Sequence, residues 1–254
     1  MSNAAQINIL GVHTHAQRFD DAVSTLVTWA SDQQRRYVCT CPVYTVMVCT
    51  ENPAARKAVN AADMVTADGM PVVWVQRWWG FPAAERVYGP DILQAMCERT
   101  AGQGVKHFFW GGLPGVADTL VVRLKTRFPA LEIAGTCSPP VADVGELPDP
   151  AVVEQINAAQ PDVVWVGLGS PKQDLWMALY RPALNAPLLI GVGAAFDFLA
   201  GVKRQAPRWA QRNGLEWLFR LIQEPGRLWR RYLIYNPRFV WGVFRQHISR
   251  SRQS

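Results

Sequence analysis

The chain predicts a Rossmann-like α/β fold, a doubly wound and mostly parallel sheet covered by helices, followed by a basic, aromatic-rich C-terminal helical appendage. Three observations carry that expectation. Short, continuous apolar runs alternate with amphipathic segments, as they do when strands buried on both faces are joined by crossover helices. Glycine-containing polar turns follow four of those runs. Charge is also divided unevenly along the chain: from Lys203 onward there are 12 Lys+Arg against 2 acids, Glu216 and Glu224, while the preceding 202 residues hold 14 bases and 18 acids. The net charge of +6 is therefore a property of the tail.

Taken in order, INILGV reads as a strand and Asp20 to Ala30 as a helix, with a second strand from Tyr37 to Thr40. Asn52-Pro53 pairs a capping residue with proline at the first helical position, so a helix should run to about Asn60. Met64 to Ala67 is a strand ending at Asp68-Gly69, followed by a helix from Val72 to Trp79. Val105 to Trp110 leads through Gly111-Gly112 into a helix ending near Arg127, and Leu131 to Gly135 is the next strand. Asp149-Pro150 caps a helix to about Ala159, Val163 to Leu168 is a strand, Pro171 to Tyr180 a helix, and Leu188 to Val192 the last strand. The turn-rich stretch 138–148 is the expected internal hinge. In the tail, Pro225 and Pro237 should divide the chain into three short helices. These features set the expected units: residues 1–200 as an α/β core able to fold without the tail, and 201–254 as the appendage.

With 49% hydrophobic residues over 254 positions, the chain can bury a large core. Five cysteines in no paired metal pattern, and no apolar leader, point to a reducing cytosol. The longest nearly apolar run, Leu188 to Val202, is 15 residues and glycine-rich, too short to span a bilayer. Membrane contact should be peripheral, at the inner face of the cell membrane. His13-Thr14-His15 lacks nearby acids or cysteines and reads as a surface or strand-end pair rather than a metal site; Cys97 and Cys137 read as core residues.

Ligands of open α/β sheets bind outside the carboxyl ends of the strands. The turns expected there hold Asp68-Gly69, Gly111-Gly112, GLGSPKQ (167–173) and GVGAAFD (191–197). Glycine can serve there simply to tighten a turn; four such turns together favour a nucleotide or phosphorylated ligand, whose phosphates the backbone N–H groups and helix N-termini would hold. Asp68 carries two readings of equal weight, turn chemistry or a general base at a strand end. A dinucleotide enzyme is the alternative: Gly111-Gly112 resembles that fingerprint loosely, and Glu132 lies 20 residues beyond Gly112, but the glycine order is not kept. A basic α/β nucleic-acid-binding protein is the other. The acidic body argues against a broad electrostatic footprint, and no nucleic-acid module is visible.

The stretches NAADMVTADGMPVVW, ERVYGPDIL, FFWGG, PDVVWVGLGSPKQDLWM, GVGAAFDFLAG and GVKRQAPRWAQRNGLEWLFRLIQEPGRLWRRY, in this order, resemble the WecG/TagA/CpsF family of bacterial glycosyltransferases from about Ile7 to Trp241. The resemblance implies transfer of N-acetylmannosamine (ManNAc), its uronate or glucose from a UDP-sugar to a polyprenyl-diphosphate-linked sugar, in surface-polysaccharide biosynthesis. It implies Asp68 as catalytic base, with Thr40, Gln173 and Arg86 contacting or supporting the substrates, and Arg220, Arg227 and Arg230 holding the donor diphosphate. Gly111, Gly112, Asp197 and Arg231 complete the candidate set. Where many members carry T-x-N, this chain has Thr40-Cys41-Pro42, so the asparagine amide is missing.

No D-x-D occurs, so the leaving diphosphate is expected to rely on arginine rather than a metal, and no cofactor is implied. Arg227, Arg230 and Arg231 stand at i, i+3 and i+4, a spacing that shares one face of an α-helix. The plain reading of the tail is a solvated helix with Glu216 and Arg220 as an i,i+4 pair. Its many aromatics favour the lipid headgroup layer instead. An exposed tail of this kind would also favour a homo-oligomer off the membrane.

Overall fold

The computed structural model describes residues 4–139 and 144–251 and has the predicted architecture: eight strands in one sheet, ordered β1-β2-β4-β3-β8-β7-β5-β6. The strands are β1 (Ala5–Ile9), β2 (Val12–Ala16), β3 (Arg36–Cys41), β4 (Met64–Ala67), β5 (Lys106–Gly111), β6 (Glu132–Cys137), β7 (Val163–Gly167) and β8 (Leu188–Gly191). All neighbours pair in parallel except β1 and β2. Alternation along each strand feeds two apolar layers. Val164 and Val166 of β7 enter one, and Val163 and Trp165 the other.

Four elements add to the predicted order, one of them the short helix Ala195–Leu199 that follows β8. INILGV is not one strand: β1 ends at Ile9, and Leu10-Gly11, with positive φ at both positions, 52° and 89°, form the two-residue turn of a hairpin whose second strand begins at Val12. That strand holds His13 and His15; His15 is buried, and its Nδ1 accepts from Val65 N at 2.9 Å. The helix Val43–Glu51 follows β3, and the helix Gly89–Thr100 follows the ERVY stretch. Cys97 is fully buried as expected, whereas Cys137, at the end of edge strand β6, is only partly buried. Part of the expected hinge, residues 140–143, lies outside the described residues.

The tail departs from three separate helices. Helices Arg208–Arg212 and Glu216–Gln223 come first, and Pro225 opens a third as its first residue. From Pro225 the chain stays helical to Ser251, through a π-helical turn at Arg230–Ile234 and the helix Tyr235–Ser251. Pro237 therefore does not break the helix. Its missing N–H falls in the first turn after the wide π segment, where the regular hydrogen-bond ladder is already interrupted.

This last helix packs on the sheet's flank. Phe239 and Val243 are buried in the same apolar layer as β1, β3 and the helix Val43–Glu51. Tyr235 Oη donates to Glu51 at 2.9 Å, and Arg238 pairs with the same carboxylate. Gln246 clamps the hairpin, accepting from Leu10 N and donating to Asn8 O, both at 2.9 Å.

Candidate active site

From β3 the chain steps to β4 on one side, and only β4's exit carries it across to β5 on the other. The turns after β4, β5, β7 and β8 therefore open along one edge, as the sequence predicts. They border a cleft of about 740 Å³ lined by Asp68, Gly112, Gly169, Gln173 and Asp197, with Thr40 at its floor. Close packing, against backbone at Gly111 and against side chains at Gly191, accounts for two of the glycines. Gly111 has φ 126°, and a Cβ there would lie 2.7 Å from the backbone of Gly167. A Cβ on Gly191 would lie 2.9 Å from Gln173 Nε2.

That space lets Gln173, almost wholly buried, sit beneath the cleft with its Oε1 accepting from Gly169 N at 3.1 Å. Thr40 donates its hydroxyl to Gly191 O at 2.7 Å, which leaves its oxygen lone pairs for a ligand. Pro42, standing where the asparagine of T-x-N would be, caps the helix Val43–Glu51 and borders both the main cleft and a side chamber.

Asp68 lies where those two spaces meet. One carboxylate oxygen accepts from Gly89 N at 3.0 Å, at the start of the helix Gly89–Thr100. Burial pushes its pKa above the ordinary carboxylate value, against the pull of Arg86 and the Gly89 N–H. Arg86 braces the turn from behind: its Nε donates to Asp68 O at 2.6 Å and its Cζ lies 3.7 Å from the Tyr88 ring centre. Its Nη2 reaches Glu216 at 2.5 Å, and Tyr88 Oη donates to the other Glu216 oxygen at 3.0 Å. Glu216 thus pairs with Arg86, 130 residues away, and not with Arg220 one helical turn on.

Of the tail arginines, Arg220 and Arg231 enter the pocket. Both line the main cleft and the side chamber, and among the described residues neither has a carboxylate within ion-pair distance. Burial lowers the Arg231 pKa, and its Nε has no hydrogen-bond partner; the guanidinium lies 4.3 Å over the Tyr44 ring. Burial also works against the charge of Arg220, but Tyr232, Glu216 and Asp68 outweigh it and raise its pKa. Arg227 sits at the rim in a relay with Glu224, Lys203 and Asp197, in which Lys203 lies 2.8 Å from Asp197 and 3.4 Å from Glu224.

Arg230 is not brought to the cleft. It is exposed and stacks over Trp229 at 5.2 Å. The shared face expected for Arg227, Arg230 and Arg231 assumes α-helical spacing, and the π turn beginning at Arg230 widens it. Glu216, Tyr88, Tyr44 and Lys203 are pocket groups that the sequence pattern did not single out. Glu132 begins β6, at the end of the sheet away from the cleft, so it does not occupy a ribose-binding position.

The chain that builds this cleft matches a known family over nearly its whole length. The model of the WecG/TagA/CpsF family of glycosyl transferases matches residues 7–253. The chain belongs to this family. It is 33% identical over 195 residues to a Bacillus spizizenii N-acetylglucosaminyldiphosphoundecaprenol N-acetyl-beta-D-mannosaminyltransferase, covering 77% of this chain and 73% of the relative. A Staphylococcus aureus protein of the same name is 26% identical over 231 residues, covering 90% and 89%. As a WecG/TagA/CpsF member the protein is a glycosyltransferase. Among its described residues, no helix is long and apolar enough to cross a membrane.

Proposed function

We propose that the enzyme transfers a sugar from a UDP-sugar to a polyprenyl-diphosphate-linked sugar with inversion at the anomeric carbon, as a step in surface-polysaccharide biosynthesis at the inner membrane face. The observation that carries this reading is the meeting of Asp68 with Arg220 and Arg231 at the junction of the two spaces. Asp68 takes the proton of the acceptor hydroxyl, the hydroxyl oxygen bonds to the anomeric carbon, and the bond from that carbon to the diphosphate oxygen breaks. Arg220 and Arg231, with Arg227 at the rim, receive the negative charge that leaves on UDP. The glycine turns suit the donor's phosphates, and the names of the relatives supply the acceptor class and favour ManNAc as the donor sugar.

A donor panel of UDP-ManNAc, UDP-glucose and UDP-GlcNAc with a synthetic lipid-diphosphate-GlcNAc acceptor tests the reading. Transfer is expected from UDP-ManNAc, and Asp68→Asn should lower turnover by about a hundredfold or more. Absence of transfer from every donor, or near-normal turnover by Asp68→Asn, overturns it.

A further inference from the structure

The rim of the cleft already holds an anion, and it belongs to the chain itself. Glu224 stands at the joint between the helices Glu216–Gln223 and Pro225–Trp229, with φ −135° and ψ 60°, outside the helical region. Its side chain makes no capping bond to the helix that follows. Among the described residues its carboxylate meets two cations instead: one oxygen pairs with Arg227, and the other lies 3.4 Å from Lys203 Nζ. All three side chains line the cleft. An anion held by two cations, one on each oxygen, is the arrangement a phosphate would take between the same groups.

We propose that Lys203 and Arg227 form a seat for a phosphate of the donor, which Glu224 fills in the resting enzyme and leaves when the donor binds. The seat takes the identity of its ligand from the transfer reaction proposed above, on which it rests. Three observations support it. Lys203 is fixed to the β8 side of the cleft: its Nζ lies 2.8 Å from Asp197, and its backbone N–H and that of Val202 donate to Asp197 O at 3.1 and 2.9 Å. It therefore keeps its place when Glu224 departs. The Glu224 contacts are the ones that yield, because Arg227 is 56% exposed and ion pairs this open to water add little to stability. A phosphate outcompetes a carboxylate for the same cations, since it brings more acceptor oxygens. Finally, the bases Lys203 and Arg227 are balanced by the acids Asp197 and Glu224, so the rim is neutral until Glu224 leaves and one positive charge richer afterwards. That charge is uncovered where the diphosphate gains a negative one, as the bond to the anomeric carbon breaks. Lys203 and Arg227 then join Arg220 and Arg231 in favouring the departing diphosphate over the bound donor.

The test is calorimetric titration of the full chain with UDP, inorganic diphosphate and uridine at one fixed ionic strength. Glu224→Gln should bind UDP and diphosphate about threefold to tenfold more tightly than the wild type and uridine no differently. Glu224→Asp, which keeps the charge but shortens its reach, should give a smaller gain of the same sign. Lys203→Gln should weaken UDP and diphosphate, and in a chain carrying both Lys203→Gln and Arg227→Gln the further change Glu224→Gln should gain nothing. Melting curves without ligand show that each variant is folded. Unchanged or weaker UDP binding by Glu224→Gln makes the carboxylate a strut that positions the two cations and overturns the proposal. An equal gain for uridine, or no loss of diphosphate affinity in Lys203→Gln, overturns it as well. Tighter diphosphate binding by Glu224→Gln together with no sugar transfer from any UDP-sugar would sink the proposed reaction and leave the anion seat standing.

Discussion

Arg86 of the core and Glu216 of the tail meet at 2.5 Å with both side chains largely withdrawn from solvent. The pair does more than join two segments, because the same guanidinium holds the carbonyl of Asp68. Removing the carboxylate would leave a buried cation with only neutral acceptors, a change that typically costs about 3 kcal/mol or more. Glu216→Ala should therefore lower the melting temperature and also cut turnover more than tenfold, with a smaller loss in Glu216→Gln, which keeps a hydrogen-bond acceptor. Melting curves and initial rates on the two variants check this. Full activity in a destabilised Glu216→Ala would show that the pair only fastens the tail.

Asp68 must be ionised to act as a base, and burial raises its pKa above the ordinary value. Activity should therefore fall as pH drops through that raised pKa. The acid limb of kcat/KM should lie above the ordinary aspartate value of about 3.9. The limb should vanish in the residual activity of Asp68→Asn. A limb at the ordinary value in the wild type would contradict the burial argument.

Asp174 is a second raised carboxylate, fully buried beside Gln173, with neither oxygen in a well-formed hydrogen bond. Burial raises its pKa to about 6. The folded state therefore binds its proton more tightly than the unfolded chain does, and stability declines as pH rises from the ordinary aspartate value toward 6. Across about two pKa units the penalty is on the order of 3 kcal/mol. Asp174→Asn should be no more stable than wild type near pH 4, gain relative stability up to about pH 6 and hold that gain above it. Denaturant titrations at several pH values measure the difference, and a gap that does not change with pH would show that Asp174 does not titrate in this range.

The strand-end half of the site was legible from the chain because it is local chemistry. A glycine or Asp-Gly turn after an apolar run marks a ligand edge wherever the strands are parallel, and Asp68, Gln173 and Asp197 all lie there. The tail half was legible in composition and not in geometry. Spacing offered Glu216 a partner in Arg220, but Arg86 lies across the fold and outcompetes it. Likewise, VYTVMVCTE gives almost no helical stripe because apolar residues are spread around the helix and Thr45 is buried among them, so the helix Val43–Glu51 is invisible to periodicity. The π turn that swings Arg230 outward leaves no mark in the spacing at all.

The tail arginines divide by this geometry. Arg220→Ala and Arg231→Ala should each lower kcat/KM by about tenfold to a hundredfold, since each removes a charge-assisted contact from the pocket. Arg231→Lys should not restore activity, because an ammonium lacks the planar fork that stacks on Tyr44. Arg230→Ala should stay within about twofold of wild type. Steady-state kinetics on the four variants decide it, and a large loss for Arg230→Ala would place that side chain at the substrate in the working complex.

A core that folds without the tail is the natural expectation for an appendage, but the packing argues otherwise. Phe239 is 2% exposed and Val243 4%, both within the layer that also holds Ile9 and Val46. Truncating a buried phenylalanine to alanine costs about 3 kcal/mol or more, a large share of the roughly 5–15 kcal/mol available to a typical domain. Phe239→Ala should lower the denaturation midpoint accordingly. Removal of everything after Gly201 should cost more, because it also removes the Gln246 clamp on the hairpin and the Glu51 contacts of Tyr235 and Arg238. Chemical denaturation of the two proteins measures both losses. If the truncated chain unfolded at the wild-type midpoint, the tail would be an adornment of the core rather than part of it, and loss of transfer on truncation could then be assigned to the pocket side chains that the tail supplies, Glu216, Arg220, Arg227 and Arg231 among them.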